Sequence, residues 1–361
     1  MIIDSLTLEN FRVYSKKSLS FSPKITVIIG PNAVGKTNLL ESIHILSTGK
    51  SLRAKDQDII SFGSELARIR AEILKNDNGD PPENTSLEVV VTVGQVMVIK
   101  TPHKKLTVNG VPKRMIDFAG EVKTVIFWPQ QLELVTDSPA VRRKHLDSIL
   151  SQIDKVYRKR LSFYEKGLRQ RNRLLEAIRE NQAGRNQLEY WNRVLIENGS
   201  YISQKREDFI SFVNSSQTTF TGNDLPSFKL LFDKSEISEA RLAKYQYEET
   251  AAGVTLVGPH RDNLIFLVEG NSKNKKLADF GSRGEQRLAV LWLSLKELAF
   301  IEGNSGQKPV LLLDDIFSEL DEDHRLLVMN LIRNQQTVIT TTDINLINNY
   351  PLGHQQLISL K

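Results

Sequence analysis

The stretch GPNAVGKT at positions 30–37 constrains the fold of this chain more than any other feature, because it follows the pattern G-x-x-x-x-G-K-[ST]. An apolar run, ITVII, precedes it, and a helical pattern, KTNLLESIHIL, follows it. This order predicts a buried strand, a tight loop and a helix whose N-terminus faces an anion. The alternative is an ordinary strand–helix turn that matches the pattern by chance, and the flanking strand and helix make that chance small.

Each position of this loop has a chemical role in phosphate binding. Gly30 and Gly35 permit a tight turn whose backbone N–H groups surround the phosphates. Lys36 would place its charge on the β- and γ-phosphates, and the Thr37 hydroxyl would coordinate Mg²⁺. The predicted nucleotide-binding residues are Gly30, Pro31, Asn32, Ala33, Val34, Gly35, Lys36, Thr37 and Asn38.

A second signature, PVLLLDDIFSELD at 309–321, is a short apolar run that ends in two carboxylates. Asp314 would hold Mg²⁺, directly or through water, opposite Thr37, and Asp315 would orient or polarise the attacking water. The alternative is a strand end capped by acids. The two signatures together predict ATP and Mg²⁺ as cofactors, with Lys36, Asp314 and Asp315 as catalytic residues.

Composition excludes several other classes of protein. The 361 residues suffice for two or more domains. The absence of cysteine excludes disulfides and thiolate chemistry, and the six histidines form no His-x-x-x-His pair that would suggest a zinc enzyme. The longest apolar runs, such as VLLL at 310–313, are too short to cross a bilayer, and the first residues lack a secretory pattern. We therefore expect a cytoplasmic protein without membrane partners, and the family resemblance described below implies association with the nucleoid.

The apolar pattern changes its period along the chain. Strand-like patterns occupy 2–11, 24–30, 66–73 and 87–93, and an Asn109–Gly110 hairpin follows. From 139 to 180 apolar residues recur every three or four positions, which would give a helix of about 63 Å if it were unbroken. NQAGRN at 181–186 breaks this pattern before a second helical stripe at 188–212, so the two form an antiparallel hairpin.

Alternating strand and helix patterns return near the C-terminus, at 263–270, 284–302, 309–314, 321–334 and 336–342. The sequence therefore predicts an α/β fold in which a P-loop ATPase head is formed from both chain ends. We expect this head to comprise 1–130 and 255–361, with an inserted α-helical lobe at 131–254.

The stretch FGSRGEQRL at 280–288 runs directly into a helical pattern. A serine flanked by glycines at a helix start presents free N–H groups to an anion. It can equally serve as an N-cap, with Glu285 as an early acidic residue. The residues of this stretch leave both interpretations open.

Several motifs carry a resemblance to a known family. GPNAVGKTN, FGSRGEQ, VLLLDD and SELD together resemble the ATP-binding-cassette heads of the SMC and Rad50 class. LTLENFRVY near the start, VIFWPQQLELVTDSPAVRRKHLD at 125–147 and GVTLVGPHRDNL at 253–264 are similar to blocks of the RecF family of bacterial recombination mediators. The similarity covers both ends and the middle of the chain.

This resemblance implies a composite nucleotide site. Ser282, Gly284 and Gln286 correspond to the signature loop, which binds the γ-phosphate of an ATP held by the other subunit, so Ser282 and Gln286 would act in trans. The family geometry turns a chain's own signature loop away from its own Lys36, which implies an ATP-dependent two-fold homodimer. SELD at 318–321 would lie at the dimer interface, and Gln130 or Gln131 would be the glutamine that senses Mg²⁺ and water.

Two departures from the cassette pattern imply slow hydrolysis. Asp315 stands where most cassette ATPases have glutamate, and TTTD at 340–343 stands where a histidine is expected, with Thr342 or Asp343 as substitutes. We expect a weak, DNA-stimulated ATPase that uses hydrolysis as a switch.

Residues 141–180 hold 12 basic and 5 acidic side chains, a surplus of +7, against +5 for the whole chain. Such a run can be a solvated helix face. The resemblance implies instead a surface for double-stranded or gapped DNA. The candidate DNA contacts are Arg142, Arg143, Lys144, Arg158, Lys159 and Arg160.

The resemblance also implies the protein partners RecR and RecO, and RecA indirectly, in recombinational repair and replication restart. The alternatives are a transporter ATPase subunit, a short SMC-like DNA-bridging protein and a P-loop kinase. The 246 positions between Lys36 and Ser282 are too many for a transporter subunit of this class, a kinase should lack the signature loop, and the predicted arm is too short for bridging.

Overall fold

The computed structural model describes residues 1–51, 54–75, 83–215, 227–269, 274–318, 320, 322–332, 334–345 and 355–361. Within these ranges the strands are β1 (Ile2–Phe11), β2 (Tyr14–Ser20), β3 (Ile25–Ile29), β4 (Leu66–Lys75), β5 (Glu83–Thr92), β6 (Gln95–Val96), β7 (Ile99–Lys100), β8 (Lys104–Val108), β9 (Val111–Lys113), β10 (Thr124–Phe127), β11 (Phe228–Asp233), β12 (Asn263–Val268), β13 (Lys275–Lys276), β14 (Val310–Asp314), β15 (Thr337–Thr341) and β16 (Gln355–Ser359). The helices are α1 (Lys36–Thr48), α2 (Met115–Phe118), α3 (Glu133–Thr136), α4 (Pro139–Ile153), α5 (Lys155–Arg179), α6 (Leu188–Ser215), α7 (Glu239–Lys244), α8 (Gln246–Ala252), α9 (Leu277–Phe280), α10 (Arg283–Ser305) and α11 (Glu322–Leu331). No helix in these ranges is long and apolar enough to cross a membrane.

The chain divides into two compact units. The first comprises Met1–Gln131 and Glu297–Lys361, and the second comprises Leu132–Lys296. The fold is α/β, as the sequence predicts, and the first unit is made from both chain ends. Residues 255–296, which we expected in the head, belong by their internal contacts to the second unit. The reason is strand pairing, because β12 pairs antiparallel with β11 and β13 pairs with β12.

The first unit contains two large sheets of different character and the small two-stranded sheet β6-β7. In the described residues, one is a parallel sheet in the order β10-β14-β15-β3-β16, and the other is antiparallel in the order β2-β1-β4-β5-β8-β9. Strands β14 and β15 are buried along their whole length, which explains their uniformly apolar or Thr-rich sequences. Buried side chains of the antiparallel sheet join α1 and the parallel strands in one core.

Gln336 connects the first strand of the chain to the parallel sheet. Its Nε2 donates hydrogen bonds to Ile3 O at 2.7 Å and Ser22 O at 2.9 Å, and its Oε1 accepts from Ile3 N at 2.8 Å. The side chain thus satisfies both backbone groups of Ile3, which burial would otherwise leave unpaired.

The helical pattern predicted over 139–180 is interrupted in the structure. Helix α4 ends at Ile153 and α5 begins at Lys155, so no single helix of about 63 Å forms. Asp154 is the N-cap of α5, where its Oδ1 accepts from Tyr157 N at 2.9 Å and its Oδ2 accepts from Tyr201 Oη at 2.8 Å. The carboxylate stabilises the new helix start in place of the missing intrahelical bonds.

Helices α5 and α6 form the predicted antiparallel hairpin, and the predicted break at 181–186 is confirmed by the gap between them. Gly167 permits their close approach, because a Cβ there would lie 3.0 Å from Val194 Cγ1. The buried Arg171 on α5 donates to Asn192 Oδ1 at 2.7 Å and forms an ion pair with the buried Glu249 of α8 at 2.7 Å.

The GPHRD stretch at 258–262, for which the sequence alone indicates no physical role, has a structural one. Arg206 of α6 donates to Pro259 O at 2.7 Å, to Asp262 Oδ2 at 2.8 Å and to Asp147 Oδ1 of α4 at 2.8 Å. His260 Nδ1 lies 2.7 Å from Tyr164 Oη of α5. This loop therefore ties together three helices of the second unit.

Candidate nucleotide-binding site

The phosphate loop follows β3 and leads into α1, and both of its glycines are required by the packing. A Cβ on Gly30 would lie 2.9 Å from Leu360 O. Gly35 has φ +107°, which is the left-handed region, and a Cβ there would lie 2.7 Å from Tyr14 Oη. The side chains of Pro31, Asn32 and Ala33 are exposed, so the outer part of the loop is open to solvent.

Lys36 lies inside this loop and is 7% exposed. Its Nζ donates to Gly30 O at 2.7 Å and to Pro31 O at 2.9 Å. Burial lowers the pKa of Lys36, and the nearby charges of Asp315 and Asp314 oppose that shift. The first turn of α1 contains no acidic residue, so the positive end of the helix is left for an anion.

The carboxylate of Asp314 is held by two hydroxyl groups. Thr37 Oγ1 donates to Asp314 Oδ2 at 2.6 Å, and Thr340 Oγ1 donates to Asp314 Oδ1 at 2.6 Å. Asp314 and Thr340 lie side by side near the carboxyl ends of the paired strands β14 and β15, and Thr37 lies in the first turn of α1, which follows β3 in the same sheet. The structure thus places Thr37 and Asp314 together as the sequence predicts, and adds Thr340, which the sequence analysis did not single out.

Asp315 stands beside this pair in a strained backbone conformation with φ +51°. Its backbone N–H donates to Thr340 O at 3.1 Å. Its Oδ1 is buried and has no hydrogen-bond partner among the described residues. A buried acceptor without a partner is a natural position for a bound water, as the predicted role of Asp315 requires.

The donor set fits Mg²⁺ bound together with a nucleotide. The hydroxyl of Thr37 and the carboxylate of Asp314 are oxygen ligands, which Mg²⁺ prefers. In the part of the chain that the structure describes, no group of three or more His, Cys, Asp or Glu side chains could hold a metal ion alone. Mg²⁺ at nucleotide sites is commonly held by one or two protein ligands together with substrate phosphates and water.

The two candidate glutamines differ in exposure. They follow β10, which pairs with β14 so that Phe127 lies opposite Leu313. Gln131 is buried, and its Oε1 accepts from Trp128 N at 3.2 Å, so its amide holds the turn. Gln130 is exposed and is the one that presents its side chain to solvent.

The signature-like loop precedes α10 and forms a capping box. Ser282 Oγ accepts from Glu285 N at 3.2 Å, and Glu285 Oε2 accepts from Ser282 N at 2.7 Å. The N-cap interpretation of this stretch therefore holds within one copy of the chain. Gln286 is buried and donates to Leu277 O at 3.2 Å and Gly281 O at 3.3 Å, so its side chain supports the loop from inside.

The SELD stretch and the TTTD stretch follow or overlap the ends of β14 and β15, respectively. Of the SELD stretch, Glu319 and Asp321 lie outside the described residues, and Ser318 Oγ donates to Asp315 O at 2.7 Å. Thr342 and Asp343 are exposed, and the Asp343 carboxylate accepts from Asn345 N at 2.8 Å.

The predicted DNA contacts are placed less favourably than expected. Arg142 is 8% exposed and donates to Asn263 Oδ1, Leu134 O and Asp137 O, so a phosphate cannot reach it without breaking these bonds. Arg143 donates to Asp262 O at 2.8 Å, and burial lowers its pKa.

Arg158 donates to Ser151 O, and Arg160 is ion-paired with Glu197. Lys144 and Lys159 are exposed. Most of the selected arginines are therefore committed to internal bonds that depend on tertiary packing.

Comparisons with known proteins match nearly the whole chain to one protein family. The family model of the RecF/RecN/SMC N terminal domain matches residues 2–356. The DNA replication and repair protein RecF of Agathobacter rectalis is 35% identical over 353 residues, covering 96% of this chain and 93% of that protein. The RecF protein of Bacillus cytotoxicus is 35% identical over 383 residues, covering 100% and 97%.

Solved structures give the same result. A structure of the recombination mediator protein RecF with ATP, in the RecFOR pathway, has a TM-score of 0.84 and 32% identity, covering 95% of this chain and 92% of that one. The Smc head domain derived from Pyrococcus furiosus has a TM-score of 0.53 at 17% identity, which indicates a shared fold alone.

Proposed function

Because the chain belongs to the RecF family of DNA replication and repair proteins, we propose that it is an ATP-dependent DNA-binding protein of recombinational repair. In this proposal ATP and Mg²⁺ join two copies into a clamp on double-stranded or gapped DNA. The observation that carries the proposal is the arrangement of Lys36 inside the loop beside the Thr37–Asp314–Thr340 set.

The residues of the loop are suited to bind a triphosphate. Lys36 would exchange its two carbonyl partners for phosphate oxygens, and the loop N–H groups would donate to the remaining oxygens. Thr37 and Asp314 would hold Mg²⁺, which when bound neutralises charge on the β- and γ-phosphates. Thr340 fixes the orientation of Asp314 through its hydrogen bond.

Hydrolysis would be slow because the groups that act on water are weak. Asp315 would accept the hydrogen bond of a water at its partnerless Oδ1, and its side chain is one methylene shorter than the glutamate of most cassette ATPases. Thr342, an exposed hydroxyl, would stand in for the expected histidine, with Asp343 as the other candidate. We expect turnover below about one per second without DNA and stimulation by DNA.

The second nucleotide-binding surface would come from the partner copy. Ser282 and the N-terminus of α10 would receive the γ-phosphate of the ATP that the other copy holds. Ser282 Oγ only accepts a hydrogen bond in the Ser282–Glu285 capping box, so its hydroxyl hydrogen would remain available to donate to a phosphate oxygen. Gln286 would act by holding this loop in shape.

The DNA surface would be a basic stripe on α5, which we define as Lys155, Lys159, Lys166, Arg169 and Arg173. These side chains are exposed and recur at spacings of four, seven, three and four, so they share one helix face about 27 Å long. Phe163, which is 49% exposed, lies beneath Lys159 Nζ at 5.9 Å from the ring centroid. Such a stripe would bind phosphates without regard to sequence.

The stripe is tested by a salt titration of DNA affinity in the presence of ATP and Mg²⁺. Lys166→Gln/Arg169→Gln/Arg173→Gln should weaken binding and reduce the salt slope by about one for each lost phosphate contact. The matched control, Lys229→Gln/Arg241→Gln/Lys244→Gln, removes the same charge from the same unit. Equal effects of the two triple variants would contradict a local contact.

RecR and RecO are the expected protein partners, and loading of RecA on gapped DNA is the expected outcome, because these belong to the pathway in which the family acts. Family membership favours this function over a transporter subunit, a P-loop kinase or a chromosome-bridging protein.

A further inference from the structure

The first unit has two tight hairpins with very different turn residues, one within the six-stranded antiparallel sheet and one that forms a two-stranded sheet of its own. The β8–β9 turn is Asn109–Gly110, with φ +50° and +75°. The β6–β7 turn is Met97–Val98, with φ +47° and +70°. Asn-Gly is the preferred dipeptide for a turn with two positive φ values, whereas a β-branched residue there is strongly disfavoured. Packing does not explain the choice, because this turn lies at the surface.

The strained turn presents apolar side chains to solvent. Met97 is 83% exposed, Val98 is 93% exposed and Ile99 is 69% exposed. The hairpin is nonetheless fixed at both ends: at the turn Met97 N donates to Glu65 Oε2 at 2.8 Å, and at the base Thr101 N donates to Gly94 O at 3.0 Å. The chain therefore holds three exposed apolar side chains in place at a backbone cost, which points to a binding role.

The charge around this hairpin indicates the kind of partner. Residues 89–116 contain four lysines and one arginine but no aspartate or glutamate. Lys100, Lys105 and Lys113 are exposed, while Lys104 is ion-paired with Asp56. A cationic segment with an apolar tip is complementary to a polyanion that also offers flat apolar surfaces. DNA with unstacked bases has both properties.

We propose that Met97, Val98 and Ile99 form a wedge that packs against bases exposed at a gap or single-strand junction, while Lys100 and Lys105 contact the neighbouring phosphates. Apolar side chains such as Met and Ile serve in this way where proteins unstack a base step. The inference rests on the proposed DNA binding and adds to it the structural feature of DNA that is recognised. A closed duplex offers no exposed base, so the wedge selects against it.

The test replaces Met97–Val98 by Asn-Gly, the turn dipeptide of the β8–β9 hairpin, in the variant Met97→Asn/Val98→Gly. This variant removes the apolar tip and also relieves the backbone strain, so its thermal midpoint should be unchanged or raised. In the presence of ATP and Mg²⁺, its affinity for a closed circular duplex should stay within about twofold of the parent, because phosphate contacts remain. Its affinity for a gapped circle should fall by about tenfold, the effect of losing one stacked base.

A 2-aminopurine base at the gap junction reports the contact directly. The parent should change its fluorescence and Met97→Asn/Val98→Gly should not. Val111→Ser, which alters an exposed apolar side chain of the β8–β9 hairpin, is the matched control and should behave like the parent.

Three results would overturn the wedge. The first is an unchanged preference for gapped DNA together with an unchanged 2-aminopurine signal in Met97→Asn/Val98→Gly. In the second, this variant changes the sedimentation mass measured with ATP but leaves DNA binding unchanged. That result would assign the tip to a contact between two copies of the chain. In the third, the parent binds neither circle with ATP present, so the proposed function fails along with the wedge.

Discussion

At the scale of single residues, the orientation of the Asp314 carboxylate depends on the hydroxyl of Thr340 as well as that of Thr37. Replacing Thr340 by valine keeps the shape and removes the hydrogen bond to Asp314 Oδ1, which is buried. The free energy of unfolding should fall by about 1–3 kcal/mol, and calorimetry should show weaker Mg²⁺-dependent ATP binding. Thr340→Ser retains the hydroxyl and should restore both, whereas equal behaviour of the two variants would contradict this role.

His260 makes the stability of the second unit depend on pH. Burial lowers its pKa to about 4, and the neighbouring Arg261, Arg143 and Arg171 also oppose its protonation. The unfolded chain, in which the histidine has its ordinary pKa of 6.5, therefore binds the proton more readily than the folded chain between pH 6.5 and about 4. Its stabilising contribution is complete above pH 6.5 and is lost as the pH falls, by on the order of 3 kcal/mol in total.

Urea unfolding at pH 7 and at pH 4.5 checks this expectation against His260→Gln. The glutamine amide can donate to Thr255 O and accept from Tyr164 Oη without titrating. The variant should lose less stability than the parent between the two pH values. Identical losses would show that other groups account for the acid sensitivity.

The sequence identified the residues that a motif places by fixed spacing, such as Lys36, Thr37 and Asp314. It did not identify Thr340, because that contact depends on the order β14-β15-β3, which no local pattern records. It selected Arg142 from a charge run, but burial against Asn263 is set by tertiary packing. The exposed fraction of each side chain distinguishes cations that can bind a ligand, such as those of the basic stripe, from cations that hold the fold together.

At the scale of elements, the break between α4 and α5 is maintained by one carboxylate. Asp154→Ala removes the N-cap bond to Tyr157 N and the bond from Tyr201 Oη. We expect a loss of about 1–2 kcal/mol in the free energy of unfolding, measured by urea denaturation. Asp154→Asn keeps a capping oxygen and should lose less. A stability of Asp154→Ala equal to that of the parent would mean that packing alone determines the break.

This break could not be seen in the periodicity. Leu146, Ile149, Ile153 and Val156 continue the spacing of three or four residues across Asp154. The starts of α6 and α10 are easier to predict, because a polar Gly-bearing stretch precedes α6 and a capping box begins α10. Periodicity reports which face is apolar, whereas a break held by a side-chain cap leaves the apolar face unchanged.

At the scale of the whole molecule, the two predicted halves of the nucleotide site belong to different compact units. The phosphate loop lies in the first and Ser282 lies in the second. In the proposed clamp, the triphosphate joins the loop of one copy to Ser282 of another, so ATP supplies binding energy for dimerisation. The fraction of dimer should therefore rise with the concentration of ATP and should also depend on the presence of Mg²⁺.

The most direct test is the sedimentation mass of the parent and of Ser282→Arg, with and without ATP and Mg²⁺. We expect the parent to change from 41.0 kDa to twice that mass when ATP and Mg²⁺ are added. We expect Ser282→Arg still to bind ATP but to remain at 41.0 kDa. A parent that stays monomeric while hydrolysing ATP at full rate, or a Ser282→Arg variant that dimerises like the parent, would contradict an ATP-joined dimer.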